Sequence, residues 1–316
     1  MKTSNIYRNG TYIVNINNYG TKTYKGREFI AEFPDSLDIK ITEQCQHKCP
    51  FCHEMSKLTG KHGDLKELLF KLKGLPEGVE LAIGGGNALL HPELEDFLKQ
   101  IKDHFRVALT VHWKDIIDES SRNKIKNLEE NGLINSLGIS IADTKLNELK
   151  DATENKKELM DFLPRSSYET PAVFHVIPGV TKTKTFKKLL WDSFHFSKIL
   201  ILGFKQFGRA SKKDLPEKEF KEWKELIREF QRTAGEFVRM NKTIAFDNLA
   251  IEQLEVKEIF SEDYWNEHYL GDEFTHSMYV DACKREYGQT SRSPYSERKS
   301  WDEYETVIDY FKNNKA

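Results

Sequence analysis

The stretch Leu37-Asp38-Ile39-Lys40-Ile41-Thr42-Glu43-Gln44-Cys45-Gln46-His47-Lys48-Cys49-Pro50-Phe51-Cys52 decides the fold. Its first six residues alternate apolar and polar side chains, the period of a strand. Three cysteines follow at once in a CxxxCxxC spacing. Thiolates this close together can hold three irons of a [4Fe–4S] cube and leave the fourth iron open to another ligand. The other reading is a structural zinc site, with His47 or His53 completing a Cys₃His set. A zinc knuckle usually draws its ligands from two short pairs, and no second CxxC or CxxH pair occurs in the chain.

Downstream, Leu81-Ala82-Ile83-Gly84-Gly85-Gly86-Asn87-Ala88-Leu89-Leu90-His91-Pro92 runs from an apolar strand through three glycines into a helix start. Glycines at the carboxyl end of a strand let the backbone approach a ligand, because no Cβ intervenes. The cysteine run, with Phe51 just before its third cysteine, and the glycine loop one βα unit later resemble the radical S-adenosylmethionine (SAM) superfamily. In that family the open iron chelates the amino and carboxylate groups of SAM. Reductive cleavage of the sulfonium then gives a 5′-deoxyadenosyl radical that abstracts hydrogen from a substrate. The resemblance implies Cys45, Cys49 and Cys52 as cluster ligands, and Phe51, Gly84, Gly85, Gly86 and Asn87 around SAM. Asn87 stands where the family commonly has Glu and Ala88 where it has Pro, so the contact at position 87 brings no charge.

Around these motifs the chain reads as alternating strands and helices. Strands are expected at residues 37–42, 79–83, 106–111, 136–141, 172–177 and 198–204. Leu65, Leu68, Leu69 and Leu72, and again Leu94, Phe97, Leu98 and Ile101, follow the i, i+3, i+4, i+7 spacing of helices. Asp64 is the expected N-cap of the first helix, and Gly132 the stop of a helix over 120–131. Strands separated by helices of this length form parallel βα units. The expected fold class is α/β: a partial (β/α)₆ barrel over 35–240, matching the family. An N-terminal β-hairpin over 1–34, turning at Asn18-Tyr19-Gly20, precedes it. A C-terminal α+β extension over 241–316 is expected to pack on the barrel, with strands at 243–246 and 274–287 and a polar loop after Gly288.

Ligands of such barrels sit at the carboxyl ends of the strands. By the resemblance, Ser140 and Asp143 would meet the SAM ribose or carboxylate; either could equally cap a helix beginning near Lys145. Thr110 and His112 end the third strand, where His112 is either a structural residue or a site residue. Val176 and Ile177 would pack on the adenine or belong to the core. The backbone of Phe204–Gln206 would meet the adenine edge, with Lys205, Gln206 and Arg209 either facing substrate or forming a solvated turn. Cys283 would share one strand face with Tyr279 and Asp281. From there its thiol could return hydrogen to a substrate radical, or simply be a half-buried packing residue.

Composition bounds the rest. Of 316 residues, 31% are charged and 38% hydrophobic, enough to bury a core under a polar surface. No apolar run is long enough to span a membrane, and a net charge of −2 gives no indication of nucleic-acid binding. Four cysteines with three clustered argue against a disulfide framework and suit a reducing cytoplasm. Only Cys283 lies outside the cluster run, so an all-cysteine auxiliary cluster cannot form within this chain. The leading expectation is a radical SAM enzyme, an oxidoreductase in the broad sense, acting on a peptide or small protein and fed by a reductant such as flavodoxin or ferredoxin. The alternatives are a radical SAM enzyme on a nucleotide or small metabolite, with Lys205, Arg209, Arg285 and Arg292 holding phosphates, and a zinc-stabilised binding protein.

Overall fold

Leu37, Ile39 and Ile41 are completely buried, while the alternate residues Asp38 and Lys40 point to the opposite face of the same strand. This alternation recurs along the chain and sorts a helix-covered face from an inner face. The computed structural model describes residues 5–16, 22–26, 28–142, 172–191, 198–233 and 243–315. The expected turn at Asn18-Tyr19-Gly20, Asp143 and the helix start near Lys145 lie outside them.

Strands β1 (Asn5–Asn9), β2 (Tyr12–Ile16) and β3 (Lys22–Lys25) form an antiparallel sheet of three. The expected hairpin is its β2–β3 pair; β1 joins through a turn at Gly10, whose φ of +56° suits glycine. Asn9 and the Tyr7 and Tyr12 hydroxyls all bond to the buried Asp35 carboxylate, fastening this sheet to the next strand.

The main sheet contains β4 (Ser36–Thr42), β5 (Glu80–Gly85), β6 (Arg106–His112), β7 (Ser136–Ser140), β8 (Ala172–Val176), β9 (Lys198–Ile201), β10 (Thr243–Phe246), β11 (Ser277–Asp281), β12 (Glu286–Gly288) and β13 (Lys299–Ser300). Its order is β10-β9-β8-β7-β6-β5-β4-β11-β12-β13, parallel from β10 to β11 and antiparallel beyond. The six expected strands are all present. The extension is a different matter: 241–316 does not sit on the barrel as an add-on but supplies β10 at one edge and β11 to β13 at the other. The expected strand over 274–287 is two strands, β11 and β12, because the chain turns at 282–285 with Arg285 in the left-handed region, φ +58°.

Helices cover the outer face. Asp64 caps Leu65–Lys71 by accepting from the Lys66 and Glu67 amides. Leu65 and Leu68 then meet Phe97 and Leu98 of Leu94–Ile101 over Ile39, Leu81 and Leu109. A second core joins Val176 and Ile201 to Phe186, Trp223 and Ile227, with Phe186 stacked on Trp223 at 3.9 Å. Curling of the sheet follows from one bond: Lys205, after β9, reaches Ser291, between β12 and β13, at 2.7 Å. Seven strand spacings would hold them ~34 Å apart in a flat sheet. The inner face is therefore a lumen, with Asp38, Lys40, Gly84, Thr110, Gly138, Ser140, His175, Leu200, Tyr279 and Asp281 brought to it by register.

Candidate radical SAM site

The cysteine loop leaves β4 and folds back on it. Glu43 exchanges backbone bonds with Lys57 and Lys61, the Cys45 amide donates to the Lys57 carbonyl, and Gly63 donates to Ile41. Within the loop the Cys52 amide donates to Cys49 at 3.2 Å. Cys45 is buried; Cys49 and Cys52 are half-buried. Burial, together with the charges of Cys45 and Cys52, pushes the Cys49 thiol up to about 11, against the pull of Arg209 and Lys114. Cys45 is raised by burial, with Cys52 and Asp115 adding to the shift. Three sulfurs in one partly dry loop, with Cys45 and Cys49 held back from ionising chiefly by burial, are a donor set that asks for a multivalent cationic group, and a three-iron attachment fits it. A Cys₃His zinc set does not. His47 gives its Nε2 to Asp115 at 2.9 Å, and His53 Nε2 is 3.5 Å from Glu54. Among the described residues, no three His, Cys, Asp or Glu side chains converge as ligands of a single ion would.

Arg209 clamps this loop from across the lumen. Its Nε donates to the Cys49 carbonyl at 2.8 Å, Nη1 to Ser56 at 2.9 Å and its amide to Cys52 at 3.0 Å. The neighbouring Gly208 lies so close that a Cβ would come within 2.3 Å of the His53 carbonyl. Arg209 was expected either to face substrate or to lie in a solvated turn; it is instead a structural tie. Charged side-chain bonds of this kind are worth ~2 kcal/mol each. Arg209→Ala is therefore expected to lower stability by roughly 2–4 kcal/mol in urea unfolding, and to speed iron loss to a chelator. Gln206 likewise turns to the Lys213 carbonyl at 3.0 Å.

The glycines divide by what surrounds them. A Cβ on Gly85, where φ is +115°, would meet the Thr42 carbonyl at 2.6 Å; one on Gly86 would meet the Gln44 carbonyl at 2.2 Å. Both are needed for β5 to lie against the start of the cysteine loop, and the Gly86 and Asn87 amides donate to Thr42 and Gln44 at 2.7 Å. Gly84 alone has ordinary room, 3.8 Å to the Thr110 Cβ, and faces the lumen. Asn87 is engaged as well. Its oxygen caps the turn at Leu89, and its amide donates to Gln46 at 3.2 Å and Asp115 at 2.9 Å.

Two adenine expectations are corrected. Val176 pairs with Ile201 on the helix side of the sheet and is completely buried in the second core, so it cannot line the lumen. The neighbouring His175 does, in register with Ser140, and Gly138 makes room for it: a Cβ there would meet the imidazole at 2.5 Å. Burial lowers His175 to about 4, so the ring is neutral at pH 7. The backbone of Phe204 is already paired, its amide to Gln253 Oε1 at 2.7 Å and its carbonyl to Gln253 Nε2 at 3.0 Å. Phe51 and Ile177 pack against this second core. His112 takes the structural option: Nδ1 accepts from the Lys114 amide, and the ring stacks on His47 at 4.5 Å.

Cys283 does not continue the lumen face. β11 ends at Asp281, whose carboxylate accepts from the Cys283 amide at 3.0 Å, and the thiol turns to the Lys61 carbonyl at 3.6 Å. Burial, with Asp281 adding, pushes this thiol up to about 12. Cys283→Ala is expected to leave product formation unchanged, as mass spectrometry of the product would show; cleavage of SAM without normal product would restore the donor role.

Buried charges that sequence reading missed complete the site. Lys40, 2% exposed, bonds Glu54 at 2.8 Å, Asp281 at 3.0 Å and Glu43 at 3.4 Å, while Tyr279 donates to Glu54 at 3.0 Å. Burial works against both ions. Lys40 is nonetheless held protonated by Glu54 and Asp281, and Glu54 falls to about 2 beside His53 and Lys40. This network ties β11 to the cysteine loop. The alternation of polar residues in Lys40 and Asp281 was its only trace in the sequence.

A family model for the radical SAM superfamily matches residues 39–181, which span the cysteine and glycine loops. The likeness is to the radical SAM superfamily, over the segment that carries both loops. Members of that superfamily use a [4Fe–4S] cluster and SAM. Among solved structures, Streptococcus suis SuiB bound to precursor peptide SuiA superposes with a TM-score of 0.62 at 13% identity, covering 90% of this chain and 66% of that one. SuiB bound to S-adenosylmethionine gives 0.60 at 12%, covering 90% and 67%. The chain thus spans about two thirds of SuiB's length, and at this identity the likeness is one of fold. No curated protein matches. No helix among the described residues is long and apolar enough to cross a membrane.

Proposed function

We propose that this chain is a radical SAM enzyme that modifies a peptide or small protein entering the lumen from the carboxyl ends of the strands. When bound, a [4Fe–4S] cluster and SAM supply a 5′-deoxyadenosyl radical that takes hydrogen from the substrate. Cys45, Cys49 and Cys52 would hold the cluster, and Gly84 and Ser140 are the residues with room and position to face SAM. Arg209 and the Lys40–Glu54–Asp281 network keep the loop in place. A reductant of the flavodoxin or ferredoxin kind would deliver the electron.

The observation that carries the peptide reading is where the basic residues go. Lys205 bonds Ser291, Arg285 bonds Glu67 and Asp302, Arg292 bonds Glu273, and Arg209 holds the cysteine loop. The four cations that a nucleotide's phosphates would need are all engaged with protein groups. The inner face offers instead small positions, Ala82, Ala108, Gly138 and Ala245, with Asp38 among them, while its other carboxylate, Asp281, is bound to Lys40. SuiB, solved with its precursor peptide, adds support through its shared fold. Anaerobic incubation with SAM, dithionite and peptide or nucleotide candidates tests this. A peptide-dependent rise in 5′-deoxyadenosine with a changed peptide mass is expected; product formation with nucleotides alone would overturn it.

A further inference from the structure

Asp115 begins as an ordinary capping residue. It sits in the first turn of the helix Trp113–Ile117, after β6, and accepts from the His112 amide at 3.0 Å in a capping box. Yet its carboxylate, 1% exposed, reaches much further than a cap requires. It also accepts from His47 Nε2 at 2.9 and 3.0 Å, Gln46 Nε2 at 3.2 Å and Asn87 Nδ2 at 2.9 Å. Gln46 and His47 are two of the three residues between Cys45 and Cys49, and Asn87 follows the glycines. One buried anion thus gathers the cysteine bow, the glycine loop and the end of β6.

We propose that Asp115 is a positioning residue for the cluster, acting through His47. His47 lies two residues from each of Cys45 and Cys49. Fixing the imidazole on Asp115, with His112 stacked against it, therefore fixes the backbone amides of the bow between two ligand cysteines. N–H···S bonds stabilise the extra negative charge of a reduced cluster and so set its potential. The arrangement also accounts for the amide at position 87. A carboxylate there would lie against Asp115, whereas Asn87 donates to it.

The test uses the full chain and two variants. Gln46→Ala/His47→Ala removes only the arms on the cysteine loop and leaves Asp115 bonded to Asn87 and His112. Asp115→Asn keeps volume and replaces an all-acceptor group with one that presents a donor to donors. Anaerobically reconstituted protein is expected to lose its visible chromophore to a chelator several-fold faster in both variants. In the loop variant the cluster midpoint potential moves to more negative values as the amides of the bow loosen, a readout that a merely structural role would not move. Wild-type bleaching or a wild-type potential in the loop variant overturns the proposal, and this holds even if Asp115→Asn fails to fold. The inference rests on the cluster assignment to the three cysteines, and iron content separates the two. Wild-type protein that takes up no iron sinks that assignment; iron-loaded variants with unchanged behaviour sink only the role of Asp115.

Discussion

Replacing Cys45, Cys49 and Cys52 together with Ala is expected to remove all reconstitutable iron, bleach the protein and reduce SAM cleavage to background. The fold should survive, because the loop is held by groups the substitution leaves in place. The Cys45 amide still donates to Lys57, and the Cys49 and Cys52 carbonyls still accept from Arg209. Metal-free variant and metal-free wild type should therefore melt within a few degrees of each other, a difference of ~1 kcal/mol or less. Iron and sulfide analysis reads the outcome directly. Iron retained by the triple variant, or one zinc and no iron in the reconstituted wild type, would rule out the cluster.

Gly85→Ala should damage the protein far more than Gly84→Ala, although the two residues are adjacent. At position 85 a Cβ meets the Thr42 carbonyl at 2.6 Å and Lys40 Cγ at 2.9 Å, with φ at +115°. Strained backbone and a forced separation of β4 from β5 together are expected to cost ~2–4 kcal/mol. Since Thr42 leads directly into the cysteine loop, iron loading should fall with stability. Position 84 has 3.8 Å to its nearest neighbour, so Gly84→Ala should change stability by under ~1 kcal/mol. Its effect should appear in SAM binding, measured by equilibrium dialysis on the iron-loaded protein. Equal stabilities for the two variants in urea unfolding would show that the close approach at Gly85 does not constrain the fold.

Much of the frame was legible because its determinants are local. Asp64 before an i, i+3, i+4, i+7 pattern makes a capped helix from nine consecutive residues, Asp64 to Leu72, and a six-residue alternation makes β4. The cysteine and glycine spacings carry the family for the same reason, each within one loop. What failed were assignments that depend on a single residue of register. Val176 and His175 look alike as residues of an apolar strand, but β8 pairs with β7 so that His175 faces the lumen and Val176 the helices. Cys283 needed one more turn of strand than β11 possesses.

Sequence by itself therefore determined the chemistry on offer: three thiols at cluster spacing, glycines at a strand end and alternating strands separated by helices. Tertiary structure decided which groups remain free to act. Asp115 finds His47 across 68 residues, Arg209 finds Cys49 across 160 and Lys40 finds Asp281 across 241. Gln253 closes the Phe204 backbone from 49 residues away. No period or motif encodes such pairs, because a buried polar group takes whichever partner the packed chain brings within hydrogen-bond reach. The same burial makes each pair costly to break.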